Sequence, residues 1–470
     1  MQNTLPRHLH FIGIGGTGMR PLAEIALSQG YEVSGSDQAD SKSTQALTQL
    51  GAKISIGHEE AALPNVKDAV VIVSSAIRDG NPELFAAQSK GWPIFHRSDL
   101  LAAFMNGKKS ICVSGTHGKT STTAMLAHMF EAMGLDPIAA IGGELVGRGT
   151  YSLRGKGEYF IAECDESDGT FHKYNPFVSI VTNIDLDHLD FYKDLEGLKE
   201  GFLNFMKKTD PEGWTIVGWD NLAARDTAHL YEGQRLSFGT RIGSEVRGLK
   251  CKNEGPIAHY EAIVDKTMVQ DSSPVVGKHS FQNILCCLAV AHALQLDLHK
   301  AAAALRTFPG VKRRFTPIGS IAGIKIFDDY AHNPGKIRSC IEGARAAFPH
   351  DRIIVIFQPH RYSRLETMYN ELMSSFSAAN EVYVLPVYAA GEVSQREFTP
   401  HSIAEDMSRE SHVSAVAYDS DTLALSLQQS SPTVLITIGA GDVSQLSLEW
   451  KERLDEQAAQ EKGALSRSKT

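Results

Sequence analysis

A chain of 470 residues, 42% hydrophobic and 21% charged, has the composition of an ordinary globular protein and exceeds what one core can serve, so roughly two to four domains are expected. Its formal net charge of -9, from 55 acidic and 46 basic side chains spread along the chain, gives no sign of a general nucleic-acid-binding surface. The six cysteines lack paired metal spacing and read as reduced core residues, while the longest apolar run, Ile284 to Leu294, holds His292 and is too short to cross a bilayer. No basic segment followed by an apolar one opens the chain, so a cytoplasmic protein with no membrane partner is expected.

Leu9-His-Phe-Ile-Gly-Ile-Gly-Gly-Thr-Gly-Met19 reads as a strand, a glycine loop (Gly13, Gly15, Gly16, Gly18) and the start of a helix carrying Leu22, Ile25 and Ala26. A second strand, Tyr31 to Ser36, ends at Asp37, which is placed for a ribose hydroxyl. Such glycines let backbone approach any diphosphate, and a nicotinamide dinucleotide is only one candidate. Apolar Ala69 to Val73 and Trp92 to Phe95 continue a small parallel sheet, whose carboxyl ends offer Ser74, Ser75 and Arg97 as ligands or as solvated loop residues.

Ser110-Ile-Cys-Val-Ser-Gly-Thr-His-Gly-Lys-Thr-Ser-Thr-Thr123 is a buried strand breaking into a phosphate-loop-like turn before a helix. Lys119 would place a point charge on terminal phosphates, and the Thr120 hydroxyl would ligate Mg2+. The spacing departs from the general motif, because Val113 stands where the first glycine belongs. Tyr159 to Ala162 is a strand ending in Glu163-Cys-Asp-Glu-Ser-Asp168, where Glu163 is the first choice for a metal-holding acid and Asp165, Glu166 and Asp168 read as a solvated turn. Phe177 to Thr182 opens into Asn183-Ile-Asp-Leu-Asp-His-Leu-Asp190, with His188 a candidate ligand for a second cation. Residues 213 to 275 give no clear pattern. Gly277 to Asn283 precedes an apolar helix, with His279 and Asn283 one turn apart: Asn283 suits an adenine edge, and a capping stretch is the alternative.

Beyond the basic connector Phe308-Pro-Gly-Val-Lys-Arg-Arg-Phe315, four apolar strands end in polar loops and describe a second doubly wound sheet. Those loops hold Tyr330 and His332, then His360, Arg361 and Arg364, then Tyr388 and finally Gly439 to Asp442. Arg361 and Arg364 can grip a carboxylate or phosphate bidentately. The tail from Lys451 lacks an apolar stripe and reads as a frayed helix or a disordered segment.

Taken in order, Gly13 to Met19, Gly115 to Thr120, Glu163 to Asp168, Thr182 to His188, Gly310 to Phe315, Asp328 to His332, Phe357 to Arg364 and Gly439 to Asp442 resemble the Mur ligases, ATP-dependent amide-bond-forming enzymes of peptidoglycan synthesis. The similarity runs nearly the whole chain and is strongest to the alanine-adding branch. It implies three α/β domains: a Rossmann-like UDP-sugar domain over 1 to 108, a P-loop ATPase-type domain over 109 to 313, and a Rossmann-like amino-acid domain over 314 to 470. It implies that UDP-N-acetylmuramic acid and L-alanine are joined with ATP and Mg2+, by a monomer or weak homodimer. It assigns Gly13, Gly15, Gly16, Gly18, Asp37, Ser74 and Arg97 to the UDP-sugar. Gly115, Thr116, His117, Gly118, Lys119, Thr120, Ser121, His279, Asn283 and Arg314 fall to ATP. Thr120, Glu163 and His188 fall to metal, with Lys119, Glu163 and His188 catalytic, and Tyr330, His332, His360, Arg361 and Arg364 fall to the amino acid or acyl phosphate.

The chain departs from the family pattern in three respects. Ser280 stands where an asparagine is usual, Thr17 and Arg20-Pro21 replace small residues beside the first loop, and no lysine near Leu203 is aligned to hold a second metal. A tripeptide-adding relative, an NAD-dependent oxidoreductase and a silent UDP-sugar sensor are the competing readings. The oxidoreductase leaves the second phosphate loop and both acidic strand ends unexplained.

Overall fold

The computed structural model describes residues 5–78, 80–186, 189–428 and 432–467, with the side chains of 189, 190 and 461–467 left aside. As the alternation of apolar strands and helices predicts, the fold is α/β, built on three sheets of mostly parallel strands. The chain divides into two compact units: Met1–Lys250 with Glu261–Asp271 and Gln282–Pro309, and Cys251–Tyr260 with Ser272–Phe281 and Gly310–Thr470.

The first sheet has five parallel strands in the order Lys53–Ile56, Glu32–Asp37, His8–Ile12, Val70–Val73, Ile94–His96. The chain reverses its winding direction at His8–Ile12, and in such sheets ligand loops gather at that switch point. The expected strands at Leu9, Tyr31, Ala69 and Trp92 are present within a residue or two. The helix Lys42–Gln49 and the edge strand Lys53–Ile56 carry no apolar run and were not anticipated; a capping box between Ser41 and Thr44 starts the helix.

The second sheet is ordered Thr267–Ser273, Ile257–Val264, Val246–Glu254, Arg235–Gly239, Trp214–Gly218, Val178–Val181, Lys109–Ser114, Tyr159–Glu163, Ile138–Ala140, Ser152–Arg154. Lys109–Ser114 lies between Val178–Val181 and Tyr159–Glu163, parallel to both, and is buried from Ser110 on. Parallel strands covered on both faces read as continuous apolar runs, which is why these three were legible. Within residues 213 to 275 the strands from Val246 on, by contrast, alternate buried with less buried positions, as in Ile257–Val264, so they show no apolar run, whereas Trp214–Gly218 and Arg235–Gly239 are short buried strands between charged turns. The helix expected from Ile284 starts earlier, at Gly277, and runs to Ala293.

The third sheet is ordered Thr316–Ile321, Ile324–Asp329, Thr433–Ile438, Arg352–Phe357, Glu381–Val384, Ser414–Ala417, antiparallel only at the first pair. The C-terminal tail takes the helical of its two expected forms, as the end of a helix that spans Ser444–Arg467, and Trp450 and Leu454 are buried with Ile326, Ile354 and Leu435 of the sheet. Trp450 and Leu454, one turn apart, dock the helix, with Leu446 and Ala458 packed against the same cluster.

Candidate active site

Three neighbouring strands of the second sheet end side by side, at Ser114, Glu163 and Val181, so the loops that follow them share one rim. The turn after Ser114 is possible only with glycine: Gly115 has φ +125°, and a Cβ there would lie 2.2 Å from Thr182 Oγ1. The next loop clamps it. Thr182 Oγ1 and Asn183 Nδ2 donate to the His117 carbonyl (2.6 and 3.0 Å), and the His117 amide donates to Asn183 Oδ1 (2.8 Å). Thr116 exchanges hydrogen bonds with the backbone of Asp185, and His117 Nε2 lies 3.6 Å from the Asp185 carboxylate. The helix Lys119–Ala132 then starts at Gly118 with Thr120 buried and Ser121 half-buried in its first turn, an arrangement that offers amide donors to an anion. Asn283 is buried against this turn: its Oδ1 accepts from Thr122 Oγ1 at 3.1 Å and would sit 3.0 Å from a Cβ on Gly118.

The acidic segment is not a solvated turn. Glu166 is fully buried, and both its carboxylate oxygens accept from Lys119 Nζ, at 2.8 and 2.9 Å. Asp165 Oδ1 is 3.8 Å from the same ammonium. Burial pulls the Lys119 pKa down, but the carboxylates of Glu166, Asp165 and Glu163 outweigh it and hold the pKa above its ordinary value. Burial raises the Glu166 carboxyl; with an ammonium bridging both oxygens at these distances, the ion pair is the state the geometry describes. Asp165 is also raised by burial, yet Lys119, Ser167 and Arg97 bring its pKa below the usual range.

Glu163 is different. Its Oε2 is buried with no hydrogen-bond partner, and a Cβ on Gly142 would lie 2.1 Å from that oxygen. A buried, unpartnered carboxylate oxygen held in a glycine cradle beside a threonine-bearing phosphate loop fits a hard divalent cation that keeps most of its other ligands from water and phosphate. His188 lies outside the described residues. Among the described residues no group of three His, Cys, Asp or Glu side chains forms a metal cage.

The first glycine loop is tied to the same rim. The amides of Gly13 and Ile14 donate to the Ser36 carbonyl, and the Gly16 amide donates to the Gly13 carbonyl. Asp37 Oδ2 accepts from the Gly15 amide at 2.9 Å, so Asp37 shapes the loop itself. Arg97 lies against Gly18, where a Cβ would be 3.2 Å from its guanidinium, and reaches Asp165 Oδ2 at 3.9 Å. Gly18, Arg97, Asp165 and Lys119 thus form a chain of contacts joining the two loops. Ser75 rather than Ser74 meets the acidic segment, donating to Asp168 Oδ2 at 3.0 Å, with His96 Nε2 at 3.2 Å. Arg20 is buried in a salt bridge with Glu24 at 2.8 Å and stacks over Tyr151 at 4.4 Å, so this departure is absorbed by helix packing.

In the second unit, the ends of Ile324–Asp329 and Arg352–Phe357 carry the remaining candidates. His332 Nδ1 donates to the Tyr330 carbonyl at 2.9 Å, and burial, with Lys336 and Arg364, pushes its pKa far below the ordinary value. His360 stacks on Tyr388 and accepts from Arg364 Nη1 at 3.0 Å; burial, Arg364 and Arg361 bring it down to about 4. Both imidazoles are therefore neutral near pH 7. Arg361 has φ +67° and a half-exposed side chain 4.0 Å from Glu392. Arg314 lies over the Tyr330 ring at 5.6 Å, but Arg313, which sequence reasoning passed over, is closer at 4.8 Å and donates to the carbonyls of Gly439 and Gly441. His279 Nε2 meets Ser339 Oγ at 2.7 Å.

Three family models match the chain: Mur ligase family, catalytic domain over residues 8–109; Mur ligase middle domain over 113–291; and Mur ligase, glutamate ligase domain over 313–441. The chain belongs to the Mur ligase family. Among Mur ligases, it is 36% identical to the UDP-N-acetylmuramate--L-alanine ligase of Sorangium cellulosum, covering 97% of this chain and 98% of that one. It is 37% identical to the ligase of the same name from Desulforapulum autotrophicum, over 93% and 97%. The crystal structure of the UDP-N-acetylmuramate-alanine ligase MurC from Thermotoga maritima superposes with a TM-score of 0.82 at 28% identity, covering 96% of this chain and 99% of that chain. A murein peptide ligase from Psychrobacter arcticus shares the Mur ligase fold at 24% identity and a TM-score of 0.67.

Proposed function

We propose that this Mur ligase joins L-alanine to UDP-N-acetylmuramic acid with hydrolysis of ATP to ADP and phosphate. The observation that carries this reading is the contact chain Gly18, Arg97, Asp165, Lys119, which holds a diphosphate-type glycine loop and a phosphate loop on one rim of one unit. The names of relatives at 36 to 37% identity over nearly their full length support alanine as the acceptor.

In this reading Gly13, Gly15, Gly16, Gly18, Ser74 and Arg97 bind the UDP-sugar, and Asp37 holds their loop in shape. Gly115 to Ser121, with Asn283, His279 and Arg314, bind ATP. A carboxylate oxygen of the sugar acid attacks the γ-phosphorus, the bond to the β-phosphate oxygen breaks, and ADP leaves. The alanine amine then attacks the acyl carbon, phosphate departs with the bonding pair, and the amine gives up its proton. Carboxylate and polyphosphate repel, so Lys119 and Arg97 supply the positive charge that lets them approach, and the first-turn amides orient the phosphates. Thr120 Oγ1 and Glu163 Oε2 are the oxygens that would hold Mg2+, which when bound neutralises phosphate charge; His188 is the further ligand proposed from sequence. His332 and His360, neutral and poorly basic, serve as acceptors or packing surfaces near the amine rather than as general bases. Arg361, Arg364 and Tyr330 are assigned to the alanine carboxylate or the acyl phosphate.

The division into UDP-sugar, ATP and amino-acid domains, the cytoplasmic location and the monomeric or weakly dimeric state belong to the same proposal. No helix among the described residues is long and apolar enough to cross a membrane. Phosphate release is the test, measured with UDP-N-acetylmuramic acid and ATP plus alanine, serine, glycine or the tripeptide. Release that requires the sugar acid and is greatest with alanine is expected; greatest release with the tripeptide would move the chain to the recycling reaction.

A further inference from the structure

Lys119 has three N-H donors, and all three are engaged inside the protein: by the Gly115 carbonyl at 2.7 Å and by Glu166 Oε1 and Oε2 at 2.8 and 2.9 Å. A lysine that is to touch a nucleotide phosphate must release at least one of them. The carboxylate is the partner that competes with phosphate in kind, since both are anions offering oxygen acceptors.

Glu166 is fixed in place. Its carbonyl accepts from the Tyr192 hydroxyl at 2.7 Å and from the Gly169 amide at 3.0 Å, Ser114 Oγ lies 3.4 Å from Oε2, and its side chain is 1% exposed. The lysine stem is flexible, so in any exchange of partners the lysine moves and the carboxylate stays. Asp165, 3.8 Å from Lys119 and 3.9 Å from Arg97, stands ready to keep part of the countercharge.

We propose that Glu166 is a positioning residue that acts as a latch on Lys119: it pairs both its oxygens with the ammonium, and a nucleoside di- or triphosphate must displace it to gain the lysine. The proposal rests on reading Gly115 to Ser121 as a nucleotide phosphate loop. It gives binding a built-in competition, in which part of the attraction between lysine and phosphate is offset by the ion pair given up. Breaking one partner of a buried pair strands the other charge, so a protein with a neutral residue at 166 has an ammonium in need of an anion, and the nucleotide supplies it.

The sign of the effect separates a latch from a structural glutamate. Glu166→Gln keeps the shape and one acceptor oxygen but removes the charge. Calorimetric titration of the full chain with ADP in metal-free buffer should show affinity tightened roughly tenfold or more, the scale of one hydrogen bond to a charged group. Glu166→Asp, which keeps the charge but pulls it back from Nζ, should tighten binding less, and it carries the test if the glutamine variant does not fold. Unchanged or weaker ADP binding in these variants overturns the latch. Absence of ADP binding to the unaltered protein would bring down the phosphate-loop reading and the latch with it.

Discussion

The second and third sheets both gather titratable side chains at the carboxyl ends of their strands, and they manage charge in opposite ways. At the second, charge is buried and matched: Lys119 against Glu166 and Asp165, with one oxygen of Glu163 left without a partner. At the third, the histidines are driven neutral by burial and by the arginines beside them, and Arg361 reaches half into solvent. Buried matched charge is costly to dismantle and worth more in low dielectric, which suits stabilising a charged transition state. Neutral imidazoles beside arginine cations suit recognition of a small zwitterion, whose carboxylate can meet an arginine while its amine meets an acceptor.

If that contrast holds, the largest loss follows from Lys119→Ala. It removes the cation from the phosphates and leaves Glu166 buried without its ion-pair partner, so substrate-dependent phosphate release should fall by roughly a thousandfold or more. A melting curve taken alongside separates lost catalysis from lost folding. Near-normal release would remove phosphate chemistry from the second sheet. Gly142→Ala should come next. The added methyl would be 2.1 Å from Glu163 Oε2, so the carboxylate must shift out of its cradle. The expected result is a loss of roughly 10 to 100-fold in kcat/KM, on the scale of changes that disturb a metal-holding side chain, with a higher Mg2+ concentration needed for half-maximal rate. An unchanged Mg2+ titration would mean that the unpartnered oxygen holds no cation.

These two residues also mark where the sequence was and was not readable. Lys119 sits in a local motif whose strand, turn and helix follow one another within fifteen residues, and such a motif needs no tertiary information. Gly142 and Glu163 meet through the pairing of Ile138–Ala140 with Tyr159–Glu163, and nothing near Gly142 advertises that. Glu166 was hidden for another reason: four acids in six residues look like a solvated turn, and only the covering by Tyr192 and the phosphate loop makes one of them a buried partner. Arg313 was overshadowed by its neighbour Arg314, because its contacts with the Gly439 and Gly441 carbonyls follow from a backbone conformation, φ +61°, that sequence does not reveal. The buried strands that end at the site were legible, while the equally buried Trp214–Gly218 and Arg235–Gly239, the edge strand Lys53–Ile56 and the alternating strands of 246 to 273 were not.

Arg364→Met tests the other side of the contrast. Arg364 donates to both the ring and the carbonyl of His360. Its loss should raise the KM for alanine roughly tenfold, the value of one charge-assisted hydrogen bond, while ADP affinity stays the same. An equal loss in ADP affinity would erase the distinction between the two sheets.

The smallest expected effect is on pH dependence. The pKa of His360 falls on folding from about 6.5 to about 4, so between those values the unfolded chain binds the proton more readily than the folded one. Stability contributed by the neutral ring is therefore intact above about 6.5 and is lost as the pH drops through that value towards 4. His332, more deeply buried, acts with the same sign. The carboxylates held low, such as Asp165, lose their contribution only at more acidic pH, as they approach their own depressed values. Thermal melting of the unaltered protein and of His360→Gln across pH 7.5 to 4.5 should therefore give curves that separate, the unaltered protein losing more Tm on acidification than the variant. Parallel curves would mean that His360 carries its proton equally well in both states, and the account of the third sheet as a neutral recognition surface would fail with it.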